Sequence, residues 1–268
     1  MRNNPVLITG CQRSGTTLLN LILDSHPEVT GIDEAIFDST KTDEYLNSSK
    51  YGKHVVWKLP QAVPHIRQLY NNIKPKIIWC LRDPRDVVAS MIKLKILTQG
   101  NERVSWSFHP YGGQHELASC VPHLEMEIKD SLERYLGRYE FARNGPQASR
   151  THSDAVIASA LCWRAKNEFL KMLEKENISH SIVKYEDLIT EPRHTIEGVI
   201  EHIGIPWSDN LLNHHRLHSG YSVGKTDNTR PIDKNNRNKW KHSLTNDDLE
   251  IIQDICGTLA GEYDYNIL

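Results

Sequence analysis

Gly10-Cys11-Gln12-Arg13-Ser14-Gly15-Thr16-Thr17 has the frame of a phosphate loop, two glycines separated by four residues and followed by two hydroxyl residues. Such a loop wraps an anion with backbone N–H groups at the start of a helix. A loop built for a triphosphate carries lysine directly after its second glycine. Here Thr16 stands at that position, and the cation is inside the loop, at Arg13. The residues therefore suit a phosphate-like group without a triphosphate tail. A tight strand-to-helix turn alone could use the same glycines, so a second motif carries weight. Arg82-Asp83-Pro84-Arg85-Asp86-Val87-Val88-Ala89-Ser90 follows an apolar run. A guanidinium at that strand's end and the Ser90 hydroxyl on the next helix could converge on a second phosphate. Two separate phosphate sites point to one diphosphorylated nucleotide.

These groups need a scaffold of alternating strands and helices. Residues 6–9 read as a first strand, and the apolar spacing of Leu18, Leu19, Leu21, Ile22 and Leu23 predicts a helix from Thr16 until Ser25-His26-Pro27 stops it. Residues 54–59 and 76–81 read as further strands, the latter a continuous apolar run of the buried parallel type. A helix is expected over 86–97, then an irregular excursion over 98–125 rich in Gly, Pro, His and aromatic residues. Helices follow at 125–139 and 153–176, the second with Ser153 as its cap, joined by a polar connection. Residues 181–184 read as a strand, Tyr185-Glu186-Asp187 as an acidic turn and 195–203 as a helix. Residues 208–238 are polar and poorly periodic, and 245–259 closes as a helix capped by Thr245 with Asp247 and Asp248 in its first turn. The expectation is a single α/β domain over 1–268, a P-loop-type three-layer fold with a mainly parallel sheet between helices. Segments 98–125 and 139–152 are the expected acceptor-facing loops.

At 268 residues and 38% hydrophobic content the chain can bury one sizeable core. Its formal net charge of −2 advertises neither nucleic acid nor an anionic membrane as partner. Cys11, Cys80, Cys120, Cys162 and Cys256 are odd in number and widely spaced, which fits neither a disulfide framework nor a zinc site. The start runs straight into Val6-Leu7-Ile8 with no signal-peptide pattern, and no apolar run approaches the roughly 20 residues that span a bilayer. A cytoplasmic protein is expected.

The motifs together resemble the PAPS-dependent sulfotransferases, in the branch of tyrosylprotein sulfotransferases and bacterial enzymes. Gln12-Arg13-Ser14-Gly15-Thr16-Thr17 is similar to that family's loop for the 5′-phosphosulfate of 3′-phosphoadenosine 5′-phosphosulfate (PAPS), and Arg82 with Ser90 to its 3′-phosphate signature. Leu23-Asp24-Ser25-His26-Pro27-Glu28-Val29 with Asp33-Glu34 resembles the segment bearing the catalytic acid residue. Trp57-Lys58-Leu59-Pro60 resembles its Lys-x-Pro element, residues 183–188 its late-strand signature, and Asn238-Lys239-Trp240 its C-terminal nucleotide segment. The resemblance implies that Arg13 faces the phosphosulfate while Ser14, Gly15, Thr16 and Thr17 bind the 5′-phosphate. It implies that Lys58 neutralises the bridging oxygen and that no metal is needed. Tyr185, Arg237, Lys239 and Trp240 would contact the nucleotide. Glu34 is the expected general base, with Asp33 its nearest rival, and the acceptor is expected to be a polar small molecule. Glu102, Glu116 and Glu125 are read as acids on the acceptor side. The glycine-rich R-K-G segment of the cytosolic small-molecule enzymes is not visible; Arg237-Asn238-Lys239-Trp240 takes its place.

Plainer readings stand beside these. His54, His109, His115 and His123 read as solvent-facing or structural, and Leu161 and Trp163 as core. Trp240 either stacks on adenine or buries itself. The rival functions are a P-loop kinase or nucleotide hydrolase, in which Asp83 would hold magnesium, and a non-catalytic nucleotide-binding protein.

Overall fold

The protein's computed structural model describes residues 2–97, 103–109, 112–222 and 226–268. The first elements are β1 (Asn4–Gly10), α1 (Thr16–Asp24), β2 (Val29–Asp33), α2 (Thr42–Asn47), β3 (His54–Lys58), α3 (Ile66–Ile73) and β4 (Lys76–Leu81). Then come α4 (Pro84–Lys93), β5 (Lys95–Leu97), β6 (Arg103–Ser105), α5 (Gly113–Cys120), α6 (Met126–Asn144) and α7 (His152–Lys175). The chain ends with β7 (His180–Lys184), α8 (Tyr185–Thr190), α9 (Pro192–Ile203), the short pair β8 (Tyr221–Ser222) and β9 (Thr226–Asp227), and α10 (Asn246–Glu262).

Two compact units divide these elements. One contains Met1–Leu81 and Lys175–Asn236. Its sheet runs β2-β3-β1-β4-β7 with every neighbouring pair parallel. Strands covered on both faces read as unbroken apolar runs, and Val6, Ile8, Val56 and Ile78 are fully buried among Leu19, Ile22 and Leu23 of α1 and Ile196, Val199 and Ile203 of α9. The expected parallel α/β sheet is observed.

The other unit contains Arg82–Glu174 and Arg237–Leu268. Its centre is α7, whose Val156, Ala160, Cys162, Trp163 and Leu170 are fully buried. Trp163 and Leu161 are core, as read from sequence. The Cys256 thiol of α10 donates to the Ala160 carbonyl at 3.4 Å. Thr245 caps α10 through a reciprocal box with Asp248.

Several boundaries differ from expectation. The helix expected over 86–97 runs Pro84–Lys93, because the Asp83 side chain caps it from the position directly before Pro84, and Pro84 suits a first helical position. Beyond it, Lys93 and Lys95 alternate with Leu94 and Ile96, a period-two pattern that pairs antiparallel with Arg103–Ser105. The described part of 98–125 is not irregular: it holds β6 and α5 and buries Trp106 and Phe108. Residues 98–102, with Glu102, and 110–111 lie outside the described residues. Ser153 does not cap α7, which begins at His152. Instead Asp154 N–H donates to the Thr151 hydroxyl at 3.1 Å while the Asp154 carboxylate accepts from Thr151 N–H at 2.9 Å. Tyr185-Glu186-Asp187 is the first turn of α8, where acidic side chains suit the helix dipole.

Candidate active site

The loop begins where β1 meets its neighbour too closely for a side chain. A Cβ on Gly10 would lie 2.3 Å from the Cys80 carbonyl oxygen on β4, and Gly10 holds φ +124°. Arg13 also adopts a left-handed backbone, φ 70°. Gly15 closes the loop at φ +92° as the residue before α1, and a Cβ there would sit 2.5 Å from the Tyr185 ring. The N-cap residue, Gly15, offers no side-chain cap to α1 and no acidic residue occupies its first turn, the arrangement in which a helix start receives an anion. The Ser14 hydroxyl is buried and has no hydrogen-bond partner among the described residues. A buried polar atom left in this way costs stability unless a ligand or water completes it, so the loop fits a bound oxyanion.

Beside the loop the sheet register sets up a charged cluster. Lys58, the last residue of β3, is paired with Ile8 of β1 on one side and Asp33 of β2 on the other. Its side chain is 1% exposed. The Nζ lies 2.8 Å from Glu34 Oε1, 3.0 Å from Asp33 Oδ2 and 3.5 Å from Thr17 Oγ1 of α1. Glu34 stands in the turn after β2, where Ile36 and Phe37 N–H groups donate to the Asp33 carbonyl and Ala35 N–H donates to the Asp33 carboxylate, all at 3.0 Å. Tyr185, the first residue of α8 after β7, is buried, and its hydroxyl accepts a hydrogen bond from Asn236 Nδ2. This unit thus brings the loop, Lys58, Glu34, Asp33 and Tyr185 together. His54 opens β3 at the end opposite Lys58; burial, aided by Lys53, holds its imidazole below the usual range, the structural role expected.

The second motif builds its own constellation around α4. Arg82 is buried, with Nη2 3.6 Å from Asp86 Oδ2 and its carbonyl accepting Trp163 Nε1–H at 2.9 Å. The Asp86 carboxylate accepts N–H groups of Asn238 at 2.8 Å and Trp240 at 3.1 Å. Ser90 is one helical turn beyond Asp86, on the same face. Arg85 Nη1 donates to the Ile267 carbonyl at 2.9 Å, and its guanidinium lies 4.5 Å from the centre of the Trp240 ring. Trp240 is half-buried, its Nε1–H without a hydrogen-bond partner among the described residues, and Arg237 and Lys239 are exposed. Asp83 accepts from Arg85 N–H, Nε and Nη2, so both its oxygens are engaged beside their own helix. Glu116 is buried and ion-paired with Lys166 at 2.5 Å, holding α5 to α7, which corrects its reading as an acceptor-side acid. His115 and His123 are exposed and Glu125 precedes α6. Asp86 and Asn236 had no role in the sequence reading; Asp86 lay within a motif already singled out, while nothing local marks Asn236.

Comparison with known proteins places this geometry. A Caenorhabditis briggsae protein described as a protein-tyrosine sulfotransferase is 23% identical over 245 residues, covering 79% of this chain and 69% of the relative. Among solved structures, the sulfotransferase domain from the curacin biosynthetic pathway has a TM-score of 0.58 at 15% identity and covers 96% of this chain and 98% of its own. A mouse sulfotransferase complexed with PAP has a TM-score of 0.53 at 12% identity, covering 98% and 90%. The family model for the sulfotransferase domain matches residues 3–264. The chain belongs to the sulfotransferase family, and it is a transferase of that fold.

Proposed function

We propose that the protein transfers a sulfuryl group from PAPS to a hydroxyl, or in second place an amine, of a small polar acceptor by in-line displacement. The carrying observation is the buried Lys58 ammonium shared by Glu34 and Asp33 beside a loop whose Ser14 hydroxyl lacks a partner among the described residues. PAPS supplies the activated sulfuryl group. In this reading the N–H groups of the loop and the hydroxyls of Ser14, Thr16 and Thr17 hold the 5′-phosphate, with Gly15 giving close approach. Arg13 faces the phosphosulfate. Arg82 and Ser90 take the 3′-phosphate, while Tyr185, Arg237, Lys239 and Trp240 contact the nucleotide. Glu34 takes the acceptor proton as the acceptor oxygen bonds to sulfur. The bridging S–O bond breaks, and its electron pair stays on the 5′-phosphate oxygen, whose charge Lys58 offsets. No step calls on a metal. The curacin-pathway neighbour supports a natural-product acceptor, and segments 98–125 and 139–152 are assigned to shaping its side of the site.

Calorimetric titration with 3′-phosphoadenosine 5′-phosphate (PAP) in magnesium-free buffer tests the donor. Binding that Arg82→Ala weakens at least about tenfold, the scale of a lost charge-assisted contact, is expected. A preference for magnesium-ATP would return the chain to the kinase reading, against which the engagement of Asp83 by Arg85 already weighs. Glu34→Gln is expected to abolish transfer and leave PAP affinity intact; an equal loss of binding would remove Glu34 from the role of base.

A further inference from the structure

We infer that Asp33 is a positioning residue for Lys58, the constant anionic partner that keeps the ammonium in place while Glu34 changes charge. This rests on the PAPS reading for the events at Glu34, but the observations that single out Asp33 are independent of it. Both carboxylates lie against one ammonium that is 1% exposed: Glu34 accepts its hydrogen bond at 2.8 Å, and Asp33 Oδ2 is ion-paired with it at 3.0 Å without hydrogen-bond geometry. They reach it from different kinds of backbone. Asp33 is the last residue of β2 and the lateral partner of Lys58 in the parallel register, so its distance from Lys58 is set by the sheet. Glu34 lies one residue further, off the strand, in a turn held by N–H bonds to the Asp33 carbonyl.

The charge balance gives this difference a consequence. Two carboxylates and one ammonium carry a formal net charge of −1, so a proton delivered to Glu34 neutralises the cluster. With Asp33 absent, the same proton would leave a buried site at +1, which low-dielectric surroundings oppose. Proton uptake also removes the anionic partner at 2.8 Å. A buried ammonium with only neutral partners would swing toward whatever anion is nearest, and Asp33 restrains it. Asp33 divides its own oxygens between the two residues: Oδ1 accepts from Ala35 N–H in the turn that presents Glu34, and Oδ2 faces Lys58. Asp33 itself transfers no proton.

The experiment compares wild type, Asp33→Asn and Glu34→Gln in three measurements. The first is single-turnover conversion of PAPS to PAP with water as the acceptor, and the second is PAP affinity by calorimetry. The third is the ¹⁵Nζ resonance of Lys58, which a held, buried ammonium displays through slow hydrogen exchange. Asp33→Asn is expected to slow turnover at least about tenfold, the loss typical of a misplaced charged group. PAP affinity should stay within about threefold or tighten, since an anion has left an anion site. The Lys58 signal should survive in Glu34→Gln and disappear in Asp33→Asn. Turnover in Asp33→Asn at the wild-type rate, PAP affinity lost in proportion to rate, or a Lys58 signal that persists without Asp33 would each overturn the inference. If the wild type neither binds PAP nor consumes PAPS, the donor reading fails. The Lys58 resonance then still decides whether Asp33 holds the ammonium.

Discussion

His214 makes the stability of the sheet-bearing unit depend on pH in the mildly acidic range. Its side chain is fully buried in the segment Asp209–Arg216, which lies against α1. His218, just beyond, bonds through Nε2 to the Leu21 carbonyl at 2.9 Å. Burial, with smaller contributions from the charges of His215 and His218, pushes the His214 imidazole down from 6.5 to about 4. A histidine depressed on folding binds its proton more readily in the unfolded chain, so stability rises with pH. The contribution is complete above about pH 6.5 and is lost as pH falls toward about 4. Between pH 7 and pH 5 the linkage relation gives a loss of about 2 kcal/mol. Urea unfolding at both pH values reads this directly when wild type is compared with His214→Leu, which removes the titrating group but keeps an apolar filling. His54 and His202 are also held low by burial, and the comparison cancels them. The wild type is expected to lose about 2 kcal/mol more than the variant. Parallel losses in the two proteins would refute the reasoning, since His214 would then take up its proton without cost.

Gly10→Ala should cost at least about 3 kcal/mol in the same assay, because the new Cβ would meet the backbone oxygen of Cys80, which cannot rotate away. Asp86→Ala should lower stability by about 2 kcal/mol, a figure held down because Asn238 is exposed and water can replace part of the loss. The same variant should weaken PAP binding, with calorimetry as the check. Asp154 and Asp248 would be raised by burial alone, yet N–H and hydroxyl donors of Thr151 and Thr245, with Arg138 and His152, leave both below 3.8. Their stabilisation is present above the ordinary carboxylate value and lost as pH falls below it. Asn substitution at either should flatten the acid limb of a thermal-denaturation series run from pH 5 to pH 2.

What could be read from sequence was what a short window contains. The phosphate loop is eight consecutive residues whose glycines have a steric reason to be there, and β1 and β4 are apolar because both faces are covered. β2 escaped notice because it is five residues long with Gly31 in its middle, and only Val29 and Ile32 are buried. That omission mattered, for β2 delivers Asp33 and Glu34. A motif comparison could align Glu34 with a catalytic acid, but without the strand it could not show that Asp33 is the lateral neighbour of Lys58.

The two aspartates of Arg82-Asp83-Pro84-Arg85-Asp86 make the same point for long-range bonds. Identical side chains stand three residues apart at the start of one helix, and either could have been assigned to a ligand. Asp83 turns out to serve its own neighbourhood, capping α4 and gripping Arg85 two residues on. Asp86 serves the far end of the chain, accepting N–H groups 152 and 154 residues away. The helical period explains the division. Asp83 is the N-cap, and its side chain accepts the free Arg85 N–H of the first turn, whereas Asp86 lies within that first turn and its carboxylate accepts from Asn238 and Trp240 instead. A carboxylate that is 3% exposed must find donors, and the backbone of Asn238–Trp240 provides them. Sequence alone could predict that a buried Asp86 needs partners; only the fold identifies them.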